Sequence, residues 1–163
     1  MSAELEAVNL VAPKVPNQKL HLEKWQAAAA KAGATWKMAN TLAKALAQRT
    51  SKRWQFVDFL GPKGRESAGV VDILAIRKAS SVPDGPLLKR YDLFDIYLIQ
   101  VKGGSARMPS MAEMLRLRDV QNEYNAKGII LFQWQTNVKS GFYLLNLENF
   151  VWEQKSTASL FGT

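Results

Sequence analysis

Gly69-Val70-Val71-Asp72-Ile73-Leu74-Ala75-Ile76, followed after an irregular excursion by Asp95-Ile96-Tyr97-Leu98-Ile99-Gln100-Val101-Lys102-Gly103-Gly104, is the part of the chain whose reading decides the fold. Both stretches are runs of β-branched and large apolar residues, which suit a pleated sheet covered on at least one face. Side chains alternate across a strand, so Val70, Asp72, Leu74 and Ile76 share one face, and Ile96, Leu98, Gln100 and Lys102 share another. Pairing of the two strands brings Asp72, Gln100 and Lys102 to one place. An aspartate inside an apolar run is costly unless it is paired or holds a metal, and a lysine at the end of the neighbouring run is in the same position.

Such a site suits metal-assisted attack of water on a phosphodiester. Asp72 offers a hard anionic oxygen to Mg²⁺ (or Mn²⁺), the Gln100 side-chain carbonyl a neutral one, and the Val101 main-chain carbonyl a third. Lys102 orients or deprotonates the attacking water and offsets charge on the phosphate. Gly103 and Gly104 let a backbone approach closely. The plainer reading is that Asp72 caps a strand end or forms a structural ion pair with Lys102.

Val71-Asp72, then Gln100-Val101-Lys102 at the end of the next strand, resembles the PD-(D/E)XK (restriction-endonuclease-like) nuclease superfamily, with 28 positions between aspartate and glutamine. Gly64-Arg65-Glu66-Ser67-Ala68-Gly69 before the aspartate is similar to Holliday-junction-resolvase-like members, and Gln-x-Lys is similar to the endonuclease subunit of some heteromeric transposases. The resemblance implies an αβββαβ core and a Mg²⁺-dependent hydrolase cutting DNA in repair, recombination, mobile-element or defence settings. Asp72, Gln100 and Lys102 are its catalytic set. Many relatives act as homodimers. Val71 stands where the superfamily has proline, and Gln100 replaces the acid and removes a charge from the metal site. A glutamate from the first core helix is absent, because 36–48 contains no acid. Glu66, six positions from Asp72, is the better substitute, and Glu23 the other.

The chain has 163 residues, enough for one domain with a proper core, with 47% hydrophobic and 22% charged residues. Its net charge of +8 favours a polyanionic partner, either nucleic acid or an acidic membrane surface, and a steep salt dependence would separate a nucleic-acid binder from an adaptor that docks proteins. There are no cysteines, which excludes disulfides and thiolate zinc sites, and the one histidine, His21, cannot build a metal cluster. No apolar run reaches the length of a membrane span, and the first residues lack signal-peptide character, so a cytoplasmic protein is expected.

Residues 1–17, with Pro13 and Pro16, read as an arm; 18–155 as a single nuclease-like domain; and 156–163 as a frayed end. A helix is predicted from Gln18 to Ala32, stopped by Gly33, and a second, amphipathic helix from about Trp36 to Gln48 capped by Thr35. Trp54–Leu60 reads as the first strand, and 78–90 as a loop with basic ends. Ser110-Met111-Ala112-Glu113 is a capping box, opening a helix to about Asn125. Gly128–Trp134 reads as a central strand, and Phe142–Leu147 and Phe150–Trp152 as edge structure. The result is an α/β chain with a mixed central sheet flanked by helices and an extra N-terminal helix. Residues 1–53 hold nine Lys/Arg against three Glu. The phosphate-contacting candidates are Lys52, Arg53, Lys63 and Arg65, close in sequence to the site, with Arg107 and Arg116 around the later helix. The alternative to a nuclease is a nucleic-acid-binding protein on the same fold with weakened catalysis.

Overall fold

The computed structural model describes residues 18–59, 69–135 and 138–162. The chain divides into two compact units, one ending at Lys31 and one running from Ala32 to Thr163. Helix α1 (Gln18–Thr50) is continuous. Gly33 therefore does not stop a first helix as its position suggests. A mid-helix glycine costs about 1 kcal/mol relative to alanine, and the surrounding alanines, lysines and leucines are strong helix formers that outweigh it. The expected arm, 1–17, lies outside the described residues.

The second unit contains strands β1 (Gln55–Asp58), β2 (Ile73–Lys78), β3 (Phe94–Gly103), β4 (Gly128–Gln135), β5 (Val138–Asn146) and β6 (Val151–Lys155), with α2 (Met111–Glu123) between β3 and β4 and α3 (Thr157–Phe161) at the end. They form a six-stranded mixed sheet in sequential order. Every neighbouring pair is antiparallel except β3 and β4, which run parallel across the α2 crossover. The register sets Leu74 opposite Leu98 and Ile73 opposite Ile99, so the alternation expected from the sequence holds through both strands.

Each face of the sheet has its own core. On one, Ala39, Ala43 and Ala47 of α1 pack with Ile73, Ile99, Val101, Ile130 and Phe132. These alanines recur every fourth residue, so they line one face of the helix and allow it to lie close to the sheet. Gly103 belongs to that contact: a Cβ there would sit 3.2 Å from the Cβ of Ala39. On the other face, Met114 and Leu117 of α2 pack with Leu98, Ile129 and Leu145. With both faces covered, β4 reads as a nearly unbroken apolar run, Ile129 to Phe132 being fully buried.

The segment from Ser156 to Gly162, expected to fray, is ordered into a capped helix. Ser156 caps α3 by accepting from the Ser159 N–H at 3.1 Å, and Leu160 and Phe161 enter the α1-side core. Phe161 is fully buried and meets Trp54, Phe56, Tyr97 and Phe142 edge-on, while its carbonyl accepts from Trp54 Nε1 at 3.1 Å. The small polar residues around it masked an aromatic anchor. Phe161→Ala is expected to lower stability by about 3–5 kcal/mol, read from the urea midpoint. An unchanged midpoint would show that the end of the chain is dispensable.

Candidate functional site

The polar site forms where β3 runs out of its sheet partner. Asp72 immediately precedes β2, and its N–H still donates to the Ile99 carbonyl at 2.9 Å. One step further along β3, the Val101 N–H donates instead to Asp72 Oδ2 at 2.6 Å. The carboxylate thus takes over from the backbone ladder, which is why β2 begins at Ile73 rather than at Gly69. In an extended strand the N–H and C=O of one residue leave on the same edge, so the Val101 carbonyl emerges on Asp72's side. Trp36 of α1 also hydrogen-bonds the Asp72 side chain. Burial raises the Asp72 carboxyl above its ordinary pKa, against the lowering effect of the Val101 and Trp36 hydrogen bonds and the Lys102 charge.

Gln100 and Lys102 project toward α2, as the alternation requires. Here the structure adds an acid that the Ser-x-x-Glu pattern by itself marks only as a helix cap. Glu113 divides its two oxygens. Oε2 accepts the Ser110 N–H at 2.8 Å and completes the capping box, whereas Oε1 accepts from Lys102 Nζ at 2.7 Å and from Gln100 Nε2 at 3.3 Å. Hydrogen bonding from Lys102, then from the Ser110 backbone, pulls the Glu113 carboxyl down to about 2. Lys102 is therefore paired with Glu113 while remaining close enough to Asp72 to stabilise its charge. The signal for Glu113 was present in the Ser-x-x-Glu spacing, 11 positions past Lys102, but the return of the helix start over the end of β3 is a tertiary fact.

Gln100 is almost fully buried, and its Oε1 has no hydrogen-bond donor. Asn40, one turn beyond Trp36 on α1, is fully buried with neither side-chain atom partnered. Leaving a buried polar group unsatisfied costs about 1–3 kcal/mol, so these are exceptions to ordinary core design. Asp72, Glu113, the orphaned Gln100 oxygen and the Val101 carbonyl are all oxygen donors, the type a hard divalent cation prefers. Among the described residues, no three His, Cys, Asp or Glu side chains are grouped to hold a metal.

The remaining candidates separate. Glu66, Lys63 and Arg65 lie outside the described residues. Glu23 is exposed in the unit that ends at Lys31. Arg107 is exposed on the connection from β3 to α2, and Arg116 is exposed on α2. Lys52 and Arg53 are not beside Asp72 despite their nearness in sequence. The β1–β2 register pairs Gln55 with Ile76 and Asp58 with Ile73, which puts Arg53 at the far end of the hairpin, roughly 20 Å away along β2. The chain matches no family model, no curated protein and no solved structure. No described helix is long and apolar enough to cross a membrane.

The lowered Glu113 carboxyl has a definite consequence for stability. Its ionised form favours the fold above the ordinary carboxylate range, and that contribution is lost as pH falls from about 4.5 toward about 2. Glu113→Gln is expected to lower the urea midpoint at neutral pH, with the gap from wild type narrowing steadily through that window. A deficit independent of pH would mean that the Lys102 ion pair contributes nothing.

Proposed function

We propose that the chain is a metal-dependent DNA endonuclease built on a restriction-endonuclease-like core. The observation that carries this reading is the Gln100–Glu113–Lys102 cluster at the end of β3, against the start of α2, with Asp72 bonded to the intervening Val101 N–H and within electrostatic reach of Lys102. The order α1-β1-β2-β3-α2-β4 supports it, as does the net charge of +8. Glu113 is the acid we assign in place of the one that Gln100 lacks, ahead of Glu66 and Glu23.

Asp72, Glu113, Gln100 Oε1 and the Val101 carbonyl would hold Mg²⁺ or Mn²⁺. When bound, the ion supplies Lewis-acid stabilisation of the phosphoryl oxygens and a more nucleophilic water. The protein's own groups do the rest. Lys102, held by Glu113, orients the attacking water and offsets charge developing on the phosphate. Asp72 is fixed by Val101 and Trp36, and its burial makes a compensating cation favourable. The capping box sets the direction of the Glu113 carboxylate before any substrate arrives.

A second reading, a nucleic-acid-binding protein with weakened catalysis, is favoured by one observation: each carboxylate of the site already has protein donors. Cleavage of plasmid and branched DNA with Mg²⁺, Mn²⁺ or EDTA separates the two. Metal-dependent cutting is expected, reduced at least about 100-fold in Lys102→Ala and in Asp72→Ala, with DNA affinity little changed in Lys102→Ala. Binding without cutting under every metal would establish the second reading, and an unaffected Lys102→Ala would remove that residue from the chemistry.

A further inference from the structure

At the opposite end of the β1–β2 hairpin from Asp72 lies a cleft of about 620 Å³, which includes Arg53, Gln55, Arg77, Lys78, Tyr91 and Phe94 in its lining. No carboxylate is among its described lining residues. Arg77 is fixed: it stands opposite Asp95 in the β2–β3 register, bonds Asp95 Oδ2 through Nε at 2.9 Å, and lies over the Trp54 ring at 4.6 Å. Its ion pair is therefore structural. Arg53 and Lys78 form no ion pair with the described acids and contribute the cleft's uncompensated charge.

The aromatic side of the cleft is equally built. Tyr91 takes a φ of 75°, a left-handed conformation that bulky side chains rarely adopt. A closed turn imposes it: the Asp92 N–H donates to the Lys89 carbonyl at 3.1 Å, and the Lys89 N–H donates to Asp92 Oδ2 at 2.7 Å. Tyr91 is 48% exposed, with the Arg90 guanidinium 5.9 Å from its ring centroid, and Phe94 is 55% exposed, so two aromatic side chains with solvent-facing surface stand beside the cations. A strained turn that presents a ring to solvent does nothing for the core.

We propose that this cleft binds unpaired nucleotides of a DNA strand, the bases stacking on Tyr91 and Phe94 and the phosphates meeting Arg53 and Lys78. The inference rests on the nuclease reading above and narrows its substrate class. Bases within a duplex stack on one another, so aromatic platforms select strands whose bases are free. The cleft lies roughly 20 Å from Asp72, one length of β2, so it can hold a single-stranded flank while a phosphodiester lies at Lys102. The preferred substrate is therefore DNA with an unpaired segment near the scissile bond, as in a flap or branch.

Fluorescence anisotropy on the full chain tests this with labelled oligothymidylate and a blunt duplex of the same length. Tyr91→Ala is expected to weaken oligothymidylate binding roughly tenfold while leaving the duplex nearly unaffected, and Tyr91→Phe, which keeps the ring, should bind as wild type. The Arg53→Ala and Lys78→Ala pair should reduce the salt slope for oligothymidylate by about 1.4, two phosphate contacts' worth. Circular dichroism establishes that each variant is folded. Oligothymidylate affinity unchanged in Tyr91→Ala and in the double variant would overturn the cleft's role and leave cleavage at Asp72 and Lys102 standing. Loss of oligothymidylate binding in these variants with no metal-dependent cutting by wild type would uphold the cleft and sink the nuclease.

Discussion

The Glu113 carboxylate is the tie on which the site depends, because it joins two elements that the sheet alone would leave independent. One oxygen closes the first turn of α2 through Ser110, and the other holds Lys102 and Gln100 at the end of β3. A capping box ordinarily satisfies helix donors and nothing more. Here its acid is shared, so the position of α2 and the orientation of the lysine are set by the same group. Asp72 performs the corresponding service on the other side, ending the β2–β3 ladder by accepting the Val101 N–H.

These ties sit at the end of a sheet that carries an apolar core on each face, and the contrast explains the energetics. Ala39, Ala43 and Ala47 bring α1 against β3, and Met114 and Leu117 bring α2 against the opposite face. Within that packing, a half-buried aspartate with a raised pKa and two buried amides with unpartnered atoms are local costs. Costs of this kind are expected where a protein keeps polar groups ready for a ligand rather than for its own fold.

Much of this was legible in the sequence. The apolar alternation around Asp72 and Gln100 fixed which residues share a face, and the Ser110–Glu113 spacing placed the start of α2 at the right residue. What escaped was tertiary. Gly33 read as a stop because local chemistry cannot weigh one glycine against a long helix of strong formers. Phe161 read as part of a frayed end because nothing near it in sequence predicts the aromatic cluster it completes. Glu113 read as a cap alone because the connection from Gly103 to Ser110 must fold back before that carboxylate can meet Lys102. Chain distance alone sets Arg53 near Asp72, whereas the antiparallel register carries it to the other end of the hairpin.

Calorimetric titration of Mn²⁺ into the wild-type protein and into Glu113→Gln tests the shared-carboxylate account most directly. The account predicts saturable binding by wild type and roughly tenfold or greater weakening in the variant, since one anionic oxygen donor is lost. Equal binding by the two proteins would reduce Glu113 to a helix cap, and no binding by either would contradict the metal centre itself.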